Sequence, residues 1–159
     1  MSNCKKIVNF YLNNSETSEG LTLVEILAFQ DEQLEKNHLY IQWLFPLPEI
    51  SFVNPDAPLF DQEFANQYNS SLRLKIVVGY AIDRMIEFWD LGNKNKPNWF
   101  KPNNHNFLRL TRFLRFLTLL GEFQMARTIF NKLSEFDRFY PNNVSEETFE
   151  YWRAAVFGN

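Results

Sequence analysis

The sequence predicts an all-α fold: a single irregular helical domain spanning residues 1–159, with about six helices around a central apolar helix at about 106–120 and a proline-rich loop at 46–59. Three observations predict it. Large apolar residues recur three and four positions apart through most of the chain, as one face of a helix requires. Capping residues precede these runs, and glycine or proline follows them. No stretch alternates apolar and polar residues over a useful strand length, and no repeat or low-complexity tail interrupts the pattern.

Taken in order, Ile7, Phe10 and Tyr11 mark a short first helix within residues 5–12, ended by the polar run Asn13 to Gly20. Thr22-Leu-Val-Glu25 has capping-box spacing directly before Ile26, Leu27 and Phe29, so a second helix starts there and reaches about Asn37, with a break near Gln30-Asp31. In His38-Leu-Tyr-Ile-Gln-Trp-Leu-Phe-Pro-Leu-Pro48, residues Tyr40, Trp43, Leu44 and Leu47 keep helical spacing, but Pro46 limits them to a turn or two. Tyr40, Trp43, Leu44 and Phe45 are expected in the core, with His38 and Gln42 satisfying nearby backbone or carboxylate groups. Four prolines between residues 46 and 58 make this segment an extended, turning connection. Its Ile50, Phe52, Val53 and Leu59 are too apolar for a free linker and should lie across neighbouring helices.

A short helix should begin near Asp61. Ser70 or Ser71 then caps a longer one whose Leu72, Ile76, Tyr80, Ile86 and Trp89 track one broad face, with Gly92 as its stop. Residues 93–104 form a polar loop in which Trp99 and Phe100 anchor back onto the core. From Asn106 to Leu120 the pattern is almost continuously apolar apart from three arginines. At 100° per residue, Phe107, Leu110, Phe113, Leu114, Leu117 and Leu120 share one face, whereas Arg109, Arg112 and Arg115 share the other with Leu108, Phe116 and Leu119. A helix apolar nearly all round belongs in the centre, with helices on both sides. Gly121 caps it, an antiparallel return helix follows from Glu122 to about Asp137, and Ser145 caps a last helix presenting Phe149, Trp152 and Val156.

At 159 residues the chain can bury roughly two-thirds of the surface of its unfolded form without a metal or disulfide staple. Aromatics make up 17% of it, so the core should be built on rings. The formal net charge of -3 gives no general attraction to nucleic acid or to anionic membrane. Cys4 is the only cysteine, which excludes an intrachain disulfide and fits a reducing cytoplasm; near a chain end it is expected to be a mobile bystander. There is no signal-like apolar run and nothing near the roughly 18 consecutive apolar residues of a membrane span. A soluble, cytoplasmic protein is expected.

Candidate chemistry is sparse. His38 and His105 each border a predicted helix, and neither belongs to a paired metal-ligand motif, so no metal and no cofactor is expected. The five glycines stand singly, which excludes the standard phosphate loops. Cys-His catalysis would require Cys4, with no flanking feature to lower its thiol pKa. Carboxylate pairs such as Glu87 and Asp90 occur at positions where solvated faces and caps are the ordinary use.

The arginines are the most informative charges, because each interrupts an apolar run. Their planar forks suit pairing with carboxylates such as Asp56, Asp61, Glu87 or Asp90, recognition of an acidic group on a ligand, or contact with nucleic-acid phosphates. The last would want a wider basic surface. The spacing of three spreads them across about 120° of helix surface, so Arg109 or Arg112 should be partly buried and paired while Arg115 stays freer. A cleft beside Arg109 and Arg112, walled by Tyr40, Trp43 or Trp99, would suit an acidic group on an apolar body.

The segments His38 to Pro46, followed by Asn54-Pro55 and Ala57-Pro58, and His105-Asn-Phe-Leu-Arg-Leu-Thr-Arg-Phe-Leu114, followed by Gly121, resemble the conserved region of the opioid growth factor receptor family. Phe10-Tyr11, Gly20 and Glu35 fit the upstream spacing, and the resemblance spans roughly residues 7–135. It implies an all-α fold and a binding role, and identifies no catalytic residue. The chain lacks C-terminal repeats and a lysine-rich nuclear signal, and looks like a short, stand-alone bacterial-type member.

Two functional classes follow. One is a non-enzymatic binding or interaction module for a peptide, a protein or a small acidic ligand, with Arg109, Arg112, Tyr40, Trp43, Trp99, His38 and His105 as candidate contacts and no catalytic residue. The other is an enzyme of unrecognised type using His38 or His105 with a nearby carboxylate. Neither class calls on nucleic acid or a membrane.

Overall fold

In the computed structural model, which describes residues 1–158, every regular element is helical. Asn159, the last residue of the expected domain, lies outside the described residues. The helices are α1 (Asn3–Leu12), α2 (Leu23–Leu27), α3 (Asp31–Lys36), α4 (Ile41–Leu44), α5 (Gln62–Ser70), α6 (Leu72–Phe88), α7 (Asn106–Leu120), α8 (Phe123–Phe139) and α9 (Glu146–Phe157). That is nine among the described residues rather than about six. They are the seven helices placed one by one on the sequence, the second of them divided into α2 and α3 at the anticipated break, together with the one-turn α4.

The chain divides into two compact units, residues 1–88 and Trp89 onward. In the first, α1 packs against α5 and α6, and α2 against α6. Local chemistry sets the helix starts. Thr22 accepts from the Glu25 N–H at 3.3 Å while the Thr22 N–H donates to the Glu25 carboxylate at 2.8 Å. These bonds, the backbone one foremost, hold the Glu25 carboxyl below its usual pKa. Asp61 Oδ1 accepts from the Phe64 N–H at 2.8 Å to start α5.

The first helix buries Ile7, Phe10 and Tyr11 as its spacing predicts, and Cys4 with them. Cys4 is thus no mobile bystander: it sits one turn before the buried face and continues it. Burial, with the carboxylates of Glu63 and Asp61 adding to it, pushes its thiol up to about 11.

On α6 the expected face is buried only towards its end: Leu72, Ile76 and Tyr80 are exposed, Ile86 is half-buried and Trp89 is buried, whereas Leu74, Val78, Ala81, Ile82, Met85 and Phe88 form the continuous buried stripe. Continued beyond Tyr80, the first stripe meets Asp83, Arg84 and Glu87, whereas the second stays apolar to the end of the helix. Arg84, which no sequence pattern singled out, ties α6 to the start of α3 by donating to Phe29 O and Asp31 Oδ1, each at 2.8 Å. Gly92 does not stop this helix; Asp90, at φ 54°, takes the left-handed position just after its end.

The proline-rich segment is an excursion closed by a Phe60 N–H to Leu47 O bond of 3.0 Å. Asn54 pins it, nearly buried and donating to Leu39 O at 2.8 Å. Ile50, Phe52 and Val53 project outward instead of lying on helices. One polar anchor and the buried Pro58 and Phe60 hold the loop, so its tip needs no apolar contact.

In the second unit α7 packs against α8 and α9, which also pack against each other. Every residue of its expected core face is buried. Rings dominate here, with Phe100 5.6 Å from both Phe107 and Phe136, and Trp89 5.2 Å from Phe113. Trp99 is the expected anchor, its indole donating to Trp89 O at 3.1 Å. Gly121, at φ 85°, ends α7 with Glu122 N–H bonded to Leu117 O at 2.9 Å and Gly121 N–H to Thr118 O at 3.0 Å, a Schellman pair. A Cβ at Gly121 would meet no neighbouring atom, so Gly121→Ala isolates backbone strain. A loss of about 1–2 kcal/mol is expected by urea denaturation, partly recovered in Gly121→Asn.

Candidate functional site

The residues expected to form a site fall into both units. In the first, His38 is exposed before the α4 turn, while Tyr40 is buried and its hydroxyl donates to Leu34 O at 2.9 Å. In the second, Trp99 is half-buried and committed to Trp89 O, and His105 directly precedes α7 without a side-chain capping bond. Arg109 is buried, only 5% exposed, and Arg112 and Arg115 are half-buried. None of the three arginines is without an interaction partner. The acids considered as their partners have local uses: Asp61 caps α5, Glu87 lies 3.9 Å from Arg84, and Asp90 accepts from Asn93 at 3.2 Å.

Trp43 differs from the other tryptophans. Trp89 donates to Asn106 Oδ1 at 3.0 Å and Trp152 to Phe107 O at 3.2 Å, so with Trp99 three of the four indoles are satisfied. The Trp43 ring is 94% buried and 5.5 Å from Phe10, yet its N–H has no protein acceptor. Gln42 beside it is buried too, and its Oε1 accepts no bond, contrary to the expectation that it would be satisfied. Both follow from α4 being a single turn closed by Pro46: it cannot rotate to serve its polar groups without withdrawing Leu44 and Phe45, which are wholly buried.

Trp43 lines a groove of about 360 Å³ within the first unit. Lys6 and Asn9 of α1 form one wall, the turn containing Glu16 and Thr17 another, and Asp56 of the proline-rich loop the rim. Thr17 makes that turn a built structure. Its backbone exchanges bonds with Leu21 O at 2.8 Å and Gly20 N–H at 3.0 Å, and its Oγ1 accepts from the N–H groups of Glu19 and Leu21. Lys6, Glu16 and Asp56 are exposed and form no ion pair among the described residues.

Sequence reasoning missed every residue of this groove except Trp43. Asn13 to Gly20 has the composition of a plain connection, and only the buried threonine distinguishes it. Asp56 carried a signal, as an acid among four prolines that hold it in place.

The scaffold is an all-α protein whose second half is organised on one apolar helix, and among the described residues no helix is long and apolar enough to cross a membrane. The chain belongs to the family of the opioid growth factor receptor conserved region, whose family model matches residues 2–157. It is 32% identical over 133 residues to opioid growth factor receptor-like protein 1 of Xenopus tropicalis, covering 72% of this chain and 25% of the relative. The Mus musculus protein of that name is 31% identical over the same length, with 72% and 28% covered. The opioid growth factor receptor of Mus musculus is 34% identical over 102 residues, 55% of this chain and 16% of the relative. The matched region is thus about a quarter or less of these relatives' length. No solved structure shows a significant match.

Proposed function

We propose that this chain is a non-enzymatic binding module whose ligand enters the Trp43 groove. The carrying observation is the ordered groove itself, about 360 Å³ and lined by Trp43, the turn of Glu16 and Thr17, Lys6 and Asp56. The three relatives bear receptor or receptor-like in their names, and this supports binding as the role without carrying a ligand over to this chain. Trp43 is the one expected site residue that this reading retains. A cytoplasmic setting belongs to the same proposal, supported by the lone, buried and protonated Cys4.

The test uses the Trp43 indole N–H resonance, assigned by its disappearance in Trp43→Phe. Adding the fraction of a cell extract below about 1 kDa, the mass range such grooves accommodate, is expected to shift this resonance and the Glu16–Thr17 amides while the composition of the fraction stays constant. No shift overturns the reading. Consumption of a component, lost in His38→Ala or His105→Ala with the fold intact, replaces it with the enzyme alternative.

A further inference from the structure

We infer that the outer face of α6 is a self-association surface, on which a second copy of this chain packs its own α6 antiparallel about a two-fold axis at Gly79. None of the residues lining the Trp43 groove belongs to this helix. Leu72, Ile76, Gly79, Asp83 and Ile86 recur four, three, four and three residues apart, the seam spacing of paired helices. Leu72 and Ile76 are 74% and 49% exposed, Tyr80 beside them is 57% exposed, and Ile86 is half-buried. The opposite side of α6 is the stripe that the domain buries, so the helix carries two seams and its own chain covers one.

Gly79 points to a close partner. It lies in the middle of a 17-residue helix, where glycine is less favourable than alanine. A Cβ there would meet nothing within 4 Å, and the backbone is not left-handed, so nothing inside the chain requires glycine. On an exposed seam a bare backbone lets a second helix come near, because the side chains at a crossing set the distance between the axes.

Charge decides the partner and its direction. Lys75 and Asp83 stand four residues before and after Gly79, and neither forms an ion pair among the described residues. They are about 12 Å apart along the helix, too far to pair with each other. With an identical helix antiparallel about Gly79, each Lys75 comes opposite Asp83 of the other copy. In the same register each Leu72, seven residues before the axis, comes opposite Ile86, seven after it. Two ion pairs, two apolar pairs and the close approach thus follow from one arrangement. A parallel copy would set Lys75 against Lys75 and Asp83 against Asp83, and like charges disfavour it. The two-fold arrangement also closes on itself, so the product is a dimer and not a filament.

One helix against one helix gives less than the roughly 1,600 Å² of a standard interface, so a weak, reversible dimer with a Kd on the order of 100 μM is expected. Sedimentation velocity of the full chain, from tenfold below to tenfold above that concentration, should show monomer giving way to dimer. Lys75→Glu and Asp83→Lys, each alone, place like charges at both contacts and are expected to raise the Kd more than about tenfold. Mixing the two variants restores opposite charges at both contacts, and a heterodimer of about parental affinity is expected. Gly79→Leu should also weaken the dimer more than about tenfold through the lost close approach. Its added side chain enters open space in the single chain, so circular dichroism of the dilute protein should be unchanged. A chain still monomeric at the highest concentration overturns the dimer and leaves the seam to a partner other than itself. A dimer that is unaffected by Gly79→Leu, or is not recovered on mixing the charge variants, overturns the antiparallel α6 interface.

Discussion

Trp152→Ala is expected to lower the free energy of unfolding by about 3–5 kcal/mol, the cost of deleting a large buried ring. The side chain is fully buried, 5.6 Å from Phe107 and 5.8 Å from Phe149, and is the main ring that α9 inserts against α7. Its indole donates to Phe107 O, but that carbonyl also accepts from Thr111 Oγ1 at 3.0 Å, so truncation leaves it bonded. The loss is therefore one of packing. Trp152→Phe, which keeps most of the volume, should lose less than half as much. Urea denaturation followed by circular dichroism measures the change, and hydrogen exchange locates it. If α9 amides stay as protected in Trp152→Ala as in the parent, the docking of that helix rests on other contacts.

Trp43→Ala is expected to cost about 3 kcal/mol, the lower end of the same range. The ring is nearly as buried and packs against Phe10, but its N–H is already desolvated without a partner, so removing it relieves a penalty that Trp152 does not carry. A four-residue helix has no stability of its own, and α4 relies on this anchoring. An unchanged denaturation midpoint would mean that the ring is exposed and that the groove is not the one described. Trp43→Phe, which keeps most of the ring volume and removes the unpartnered donor, should retain nearly all of the stability.

The sequence by itself determined the helical class, the caps and the face of α7. Thr22 with Glu25, Asp61, Ser145 and Gly121 act through hydrogen bonds or dihedral angles within a few residues of themselves, so their roles are legible without knowing what lies opposite. The α7 core face was equally legible, because six large apolar residues share it and the opposite side carries three arginines. The family, too, was carried by contiguous residues. Tertiary structure decided the rest: 3.6-residue spacing identifies stripes and not their neighbours, so on α6 only the charges of Asp83, Arg84 and Glu87 marked the Leu72–Tyr80 stripe as the exposed one. It alone decided that the tip of the proline-rich loop points outward, because Asn54 reaches Leu39 O across fifteen positions. The groove was hidden for the same reason. Lys6, Thr17, Trp43 and Asp56 come from four separate segments, and an indole N–H without an acceptor exists only once the chain has closed around it and left it none.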